Sequence, residues 1–122
     1  MIQESIGIDL VENHRFDAFI DDYRKLKRIL SLREIEVFQT FTSTSRKLEF
    51  IASRFAGKEA LIKAGLQFDY AEVSILNHEN GAPYVIGPFE ADILITLSHT
   101  ETMSVAYVTI KKENSSAIDK NA

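Results

Sequence analysis

Residues 50–65, FIASRFAGKEALIKAG, decide the fold of this chain. Their apolar positions recur at about 100° per residue, the spacing of one helix face, and predict the second half of a helix that begins near Ser45. Glu59 projects into the middle of the apolar arc, which consists of Leu48, Ile51, Ala52, Phe55, Ala56 and Ile62. A carboxylate on a packing face is costly unless a cation or hydrogen bonds compensate it. Glu59 is therefore the first candidate functional residue.

The cations of this helix allow two interpretations of Glu59. Lys63 follows Glu59 by one turn and flanks it, whereas a separate basic stripe along one edge comprises Lys47, Arg54 and Lys58. Glu59 and Lys63 could form an ordinary helix pair, which stabilises a helix by roughly 0.2–0.5 kcal/mol. An exposed pair is not expected in the centre of a packing face, which favours a partner for Glu59 elsewhere in the chain.

Size and composition predict one small domain. The chain has 122 residues, 45% of them apolar, and a net charge of −4, which argues against general nucleic-acid binding. It has no cysteine, so disulfides, thiolate metal sites and thiol nucleophiles are excluded. The N-terminal residues lack a signal-peptide pattern, and no apolar run is long enough to span a membrane. We therefore predict a cytoplasmic protein that binds neither nucleic acid nor membrane.

The first third of the chain predicts a strand and two helices. Ser5 to Val11 alternates as a strand, with Asp9 on the face opposite Ile8 and Leu10. Asp9 is a second enclosed acid if both faces of the strand are covered; otherwise it caps a helix or faces solvent. A helix is expected from Arg15 to Leu30, and its basic outer face, with Arg15, Arg24, Lys25, Lys27 and Arg28, is either solvated or a docking surface for an acidic partner. Ser31 to Glu34 matches a capping box for a second helix over 32–41.

Short strands are expected in the last third. They cover 72–76, 82–86, 93–97 and 103–110, with Asn80-Gly81 as a hairpin turn and 98–102 as a second connection. The polar residues 112–122 are predicted to be a disordered tail after a domain of residues 1–111. The order of strand, helices and antiparallel strands indicates an α+β domain in which an antiparallel sheet packs against the long central helix.

Three separate stretches contain the candidate chemistry. They are Asp9, Glu59 with Lys63, and the turn Ser98-His99-Thr100. Two carboxylates without cysteine suit Mg²⁺, which takes one or two carboxylates and completes its shell with water and phosphate oxygens. A phosphate-bearing ligand would also explain the nearby cations Lys47, Arg54, Lys63 and His99.

Four motifs carry a resemblance to a known family. They are GIDLVENHR at 7–15, RFAGKEALIKA at 54–64, ILNHENGAPYV at 75–85 and LSHTETMSVAYV at 97–108. Together they resemble holo-acyl-carrier-protein synthase, the short bacterial type of 4′-phosphopantetheinyl transferase, over residues 2–111. The resemblance implies the fold of that family. It also implies magnesium-dependent transfer of 4′-phosphopantetheine from coenzyme A to a serine of an acyl carrier protein, in the service of fatty acid biosynthesis.

The same resemblance assigns roles to individual residues. Asp9 and Glu59 match the magnesium ligands, and Lys63 matches the catalytic lysine beside the coenzyme A pyrophosphate. The positions that match coenzyme A contacts are Arg54, Asn80, Gly81, Pro83, Ser98, His99 and Thr100. Those that match the carrier-protein docking surface are Arg15, Arg24, Lys25 and Arg28. The resemblance further implies a homotrimer with each site between neighbouring subunits.

Some points stay open at this level. The segment 63–69 is shorter and poorer in glycine than the family's usual loop, and the general base is either Glu59 or a metal-bound water. Two other classes of protein compete with the transferase. One is a non-catalytic trimeric module that binds an acidic protein, and the other is an enzyme, such as a thioesterase, that hydrolyses coenzyme A thioesters without a metal.

Overall fold

The computed structural model describes residues 2–113 and has the α+β architecture expected. The strands are β1 (Ile2–Glu12), β2 (Ser74–Asn77), β3 (Pro83–Ile86), β4 (Asp92–His99) and β5 (Met103–Glu113). The α-helices are α1 (Tyr23–Ile29), α2 (Leu32–Phe38) and α3 (Thr44–Lys63), and two 3₁₀ helices cover Asn13–Phe19 and Tyr70–Glu72. In residues 2–113, no helix is both long and apolar enough to cross a membrane.

Two antiparallel sheets surround α3. The larger sheet has the order β1-β5-β4, and the smaller one is the hairpin of β2 and β3. Because side chains alternate along a strand, the inner face of β1 carries Gly7, Asp9 and Val11 towards α3. Gly7 permits this approach, since a Cβ atom there would lie 1.9 Å from the Ala60 carbonyl oxygen.

The central helix is anchored at its start and buried along its length. The Ser43 side chain accepts a hydrogen bond from the Arg46 backbone nitrogen and caps the helix. Small and branched side chains then fill the space against the sheet, and the fully buried ones are Ile51, Ala52, Ala56, Ala60 and Leu61. Ile62, which the apolar arc predicted to be packed, is instead 37% exposed.

The predicted helix from Arg15 to Leu30 is wrong as a single element. The chain forms the 3₁₀ helix Asn13–Phe19, turns, and then starts α1 at Tyr23. Asp22 causes the restart because its carboxylate accepts a hydrogen bond from the Lys25 backbone nitrogen and caps α1. The capping box of α2 is confirmed, although that helix ends at Phe38 rather than at residue 41.

The strands are confirmed with shifted bounds. β4 continues to His99, so Ser98 and His99 belong to a strand and the turn is only Thr100–Thr102. β5 runs to Glu113, two residues beyond the predicted end of the domain at 111, because its last residues pair with Ile2 and Gln3 at the start of β1. Residues 114–122 of the predicted tail lie outside the described residues.

The basic stripe predicted on α3 is also wrong. Arg54 is 6% exposed, and Lys58 is fully buried in an ion pair with the equally buried Glu34 of α2 at 2.5 Å. Lys58 also donates to the carbonyl oxygens of Ile29 and Tyr70, both at 2.8 Å. Every hydrogen of the ammonium group therefore has an acceptor, which is how a buried charge is tolerated.

The outer side of the larger sheet is apolar and exposed. We call it the outer apolar face, and its members include Ile6, Ile8, Leu10, Leu94 and Tyr107. Ile8 pairs with Tyr107 across the β1 and β5 strands, so these side chains form one continuous patch. Exposed apolar patches of this kind mark interaction surfaces.

Candidate functional site

Lys63 and Asp9 meet at the contact of α3 with β1. The Lys63 Nζ atom donates to Asp9 Oδ1 at 2.9 Å and to the Ile8 carbonyl oxygen at 3.1 Å. The Asp9 side chain is only 15% exposed, whereas that of Lys63 is 54% exposed. The ordinary Glu59–Lys63 helix pair is therefore not what forms, because Lys63 bonds to an acid 54 residues away along the chain.

Glu59 has a different partner, Tyr70. The Tyr70 hydroxyl donates to Glu59 Oε1, and its ring stacks on Phe55 with centroids 5.8 Å apart. Burial, followed by the hydrogen bond with Glu59 and the charge of that carboxylate, raises the pKa of Tyr70 to about 12. The charge of Asp9 acts on the pKa of Tyr70 in the same direction, as the smallest of these contributions.

This pair of acids suits a small, hard cation. Asp9 lies on a strand and Glu59 on a helix, so each would offer carboxylate oxygens, and residues 2–113 contain no cluster of three or more potential metal ligands. Two carboxylates without a complete protein cage are what Mg²⁺ uses when water and substrate phosphates fill the rest of its shell. The residues present therefore fit magnesium.

A second group of polar residues lines a cleft of about 280 Å³ beside the first half of α3. Arg54 donates to the Ile75 carbonyl oxygen at 3.0 Å and to Asn77 Oδ1 at 2.5 Å. His99 Nδ1 lies 3.1 Å from Glu49 Oε2. Burial lowers the pKa of Arg54 to about 10, with the charge of Glu34 opposing the shift, so its guanidinium is charged at neutral pH. The lining contains two guanidinium groups, those of Arg46 and Arg54, whose charge favours an anionic ligand, and one acid, Glu49.

The β2–β3 hairpin adjoins this cleft. Asn77 donates to the Gly81 carbonyl oxygen at 2.8 Å, and Asn80 accepts from the Ala82 nitrogen at 2.9 Å. Gly81 has φ of +91°, the left-handed region that this turn requires. The strand β2 ends at Asn77, which contacts Arg54, and β3 begins at Pro83. Asn80, Gly81 and Pro83 therefore belong to the turn and strand that follow this contact.

Ser98, His99 and Thr100 together line a small pocket of about 130 Å³ at the end of β4, beside residues of β1 and β5. Side chains alternate along β4, so Ser98 faces the outer side while His99 faces the cleft. Thr100 lies in the turn, where its hydroxyl accepts hydrogen bonds from the backbone nitrogens of Thr102 and Met103. The buried Asn13 holds this turn by donating to the carbonyl oxygens of Thr100 and Glu101, both at 3.2 Å.

The predicted docking residues occupy two places. Arg24, Lys25 and Arg28 lie on α1, where Arg24 and Arg28 are exposed and Lys25 is half-buried. Arg15 lies instead on the first 3₁₀ helix with its guanidinium 4.9 Å from the Phe55 ring centroid. Its charge opposes the rise in the Tyr70 pKa, and its ring contacts with Phe16 and Phe55 hold Arg15 apart from the α1 surface.

Several of these contacts have no signal in the sequence. Neither Tyr70 nor Glu49 lies in a motif that indicates its partner. Glu34 was recognised only as part of a capping box, although its second oxygen also accepts from the Ile75 nitrogen at 2.8 Å. Each contact joins elements that are distant in sequence, which local patterns do not describe.

Comparison with known proteins identifies the class. The family model described as the 4′-phosphopantetheinyl transferase superfamily matches residues 5–113, nearly all of the described chain. The chain therefore belongs to the 4′-phosphopantetheinyl transferase superfamily.

Individual relatives narrow the class further. A holo-acyl-carrier-protein synthase of Anoxybacillus flavithermus is 40% identical over 90% of this chain and 97% of that protein. A holo-acyl-carrier-protein synthase of Enterococcus faecalis is 35% identical over 90% of this chain and 98% of that protein. A crystal structure of the Bacillus anthracis synthase in complex with coenzyme A (3′,5′-ADP) is 32% identical, covers 89% of this chain and 96% of that one, and superposes with a TM-score of 0.81. The resemblance predicted from the four motifs is thus confirmed.

Proposed function

We infer that this protein transfers 4′-phosphopantetheine from coenzyme A to a serine hydroxyl of an apo acyl carrier protein and supplies the holo form for fatty acid biosynthesis. The serine oxygen forms a bond to the phosphorus that carries pantetheine, the pyrophosphate P–O bond breaks, and adenosine 3′,5′-bisphosphate leaves. The observation that carries the inference is the contact of Lys63 with Asp9 between α3 and β1, with Glu59 one turn before Lys63 on the same helix, in a chain of this superfamily.

Magnesium is part of this proposal. Held by Asp9 and Glu59, the ion would neutralise charge on the pyrophosphate. Lys63 is the residue of this chain placed to offset charge on the leaving phosphate, because its ammonium already lies beside Asp9. Asp9 projects from β1 and Glu59 from α3, and both elements belong to the packed core. Carboxylates held in this way would favour one orientation of the reacting groups. The base that takes the proton of the serine hydroxyl would be either Glu59 or a water molecule held in the site.

The cleft beside Arg54 and His99 is the proposed site for the phosphates of coenzyme A. Its lining includes guanidinium and imidazole groups and Asn77 of the β2–β3 hairpin. The turn residues Asn80, Gly81 and Pro83, which follow Asn77 in this hairpin, are proposed to lie on the adenine side. The related Bacillus anthracis protein is described in complex with coenzyme A (3′,5′-ADP), which supports a site for this cosubstrate.

A homotrimer with sites between subunits is supported by two features. Glu59 follows Arg54 by five residues, so the two project about 140° apart around the axis of α3. The cleft of one subunit therefore does not face its own pair of acids, and a neighbouring subunit would have to bring them together, with Ser98 and Thr100 at the junction. The outer apolar face supplies the surface for such an assembly.

Docking of the acidic carrier protein is proposed for α1 and Arg15. The exposed cations Arg24 and Arg28 stand out on a chain whose net charge is −4, and complementary charge raises association rates with an acidic partner. Arg15 contributes a further cation from the first 3₁₀ helix, where it lies over Phe55, the ring on which Tyr70 stacks. The cytoplasmic location predicted from the sequence stays a prediction.

Mass spectrometry of apo carrier protein, mixed with this protein, coenzyme A and magnesium, tests the function. We expect the carrier protein to gain one phosphopantetheine, to remain unmodified when a chelator is added, and to be modified again when magnesium is restored. A binding module would leave the carrier unmodified in every sample. A thioesterase would release free thiol from an acyl coenzyme A in the presence of the chelator, and either result would refute the proposal.

A further inference from the structure

We propose that Tyr70 is a positioning residue that fixes one oxygen of Glu59 and thereby makes the site prefer magnesium to calcium. This inference rests on the proposed function, since it takes Asp9 and Glu59 as the metal ligands. The Tyr70 hydroxyl donates to Glu59 Oε1, which leaves the other carboxylate oxygen as the one free to bind a cation.

Three residues of α3 hold Tyr70 in place. Its ring stacks on Phe55 at an interplanar angle of 27°, its carbonyl oxygen accepts from Lys58 Nζ at 2.8 Å, and its hydroxyl meets Glu59. Positions 55, 58 and 59 have the i, i+3, i+4 spacing of one helix face. Tyr70 is therefore held by its ring, its backbone and its hydroxyl, and the phenol has a defined position from which to orient the acid.

The hydrogen bond from Tyr70 affects the preference for one cation because it limits how many oxygens of the Glu59 carboxylate bind the ion. Calcium takes six to eight oxygen ligands and often binds a carboxylate through both oxygens, whereas magnesium demands six ligands at shorter distances and keeps several waters. Two-oxygen binding by Glu59 would place the cation and the Tyr70 hydroxyl on the same oxygen, Oε1, where the cation withdraws electron density and weakens the hydrogen bond. One-oxygen binding leaves that hydrogen bond intact, so Tyr70 favours the smaller ion.

Calorimetric titration of magnesium and of calcium into the protein with coenzyme A present tests this role. Tyr70→Phe keeps the ring that stacks on Phe55 and removes only the hydroxyl. We expect its magnesium affinity to fall by about tenfold, the lower end of the effect of residues that orient metal ligands. Calcium affinity should change less, so the ratio of the two affinities falls as well.

Tyr84→Phe is the matched control, because Tyr84 stacks on His78 in the β2–β3 hairpin and not on α3. It should bind both ions as the unmodified protein does. If Tyr70→Phe retains the unmodified ratio of magnesium to calcium affinity, Tyr70 does not position Glu59, and the proposed function is unaffected. Failure of the unmodified protein to bind either ion would instead refute the metal site itself, and with it both proposals.

Discussion

Replacement of Lys58 by methionine should destabilise the fold severely, because it leaves the Glu34 carboxylate buried without a cation. Both side chains of this ion pair are fully buried. In the variant, Glu34 would keep its hydrogen bonds from the backbone nitrogens of Ser31 and Ile75, both at 2.8 Å. Those two hydrogen bonds compensate only part of the cost of burying the charged Glu34 carboxylate. Removal of one partner of a buried pair costs about 3–5 kcal/mol.

That loss is large relative to the stability of the whole domain. A chain of this length is expected to have a free energy of unfolding of about 6–18 kcal/mol, at roughly 0.05–0.15 kcal/mol per residue. The free energy of unfolding is expected to fall by about 2 kcal/mol per molar urea. A loss of about 3–5 kcal/mol should therefore lower the urea concentration at the unfolding midpoint by about 1.5–2.5 M. The double variant Glu34→Gln with Lys58→Met should lose less than the sum of the single changes, because no uncompensated charge remains.

Urea unfolding followed by circular dichroism measures these midpoints, with all variants at one protein concentration because assembly shifts apparent stability. Lys111→Met is the matched control. Lys111 pairs with Glu4 at 3.7 Å on the surface, with side chains 61% and 68% exposed, so its change should stay within about 0.5 kcal/mol. Equal midpoints for Lys58→Met and Lys111→Met would show that Lys58 is not part of a buried pair, and the reasoning about the core would fail.

Three further predictions concern activity and assembly. Glu59→Gln should remove transfer, measured by mass spectrometry of the carrier protein, while the urea midpoint changes little; near-normal turnover would refute its role as a metal ligand. Arg24→Glu with Arg28→Glu should raise the KM for carrier protein, and more so at low salt because the contact is electrostatic; an unchanged KM would make these residues ordinary surface cations. Ile8→Asp with Leu10→Asp on the outer apolar face should convert a trimer to monomers in analytical ultracentrifugation and remove activity, and a trimer that persists would show that assembly uses another surface.

Periodic patterns predicted most of the elements of this fold. The spacing of apolar residues located α3, the capping box located α2, and Asn80-Gly81 located the β2–β3 turn with its left-handed glycine. These features are determined by residues within a few positions of one another, so the sequence contains all the information they need. The single helix predicted over 15–30 failed because the capping preference of Asp22 overrode the apolar periodicity.

Burial and pairing of charges were decided by the tertiary structure. The sequence placed Arg54 and Lys58 on a basic stripe, yet Lys58 is buried because Glu34, the carbonyl of Ile29 and that of Tyr70 converge on it from three other elements. Charge alone cannot distinguish a solvated lysine from a fully bonded one. The distinction depends on acceptors that lie 12 to 29 residues away in sequence.

Some features of the candidate site were likewise indicated by the sequence, and others depend on the tertiary structure. The sequence by itself determined which residue types are present, and its four motifs indicated the family and the acids Asp9 and Glu59. Only the tertiary structure decided that Lys63 bonds to Asp9, that Tyr70 bonds to Glu59, and that His99 faces a cleft separate from both acids. The physical reason is that a hydrogen bond or ion pair acts over a few ångströms of space, whatever the separation along the chain.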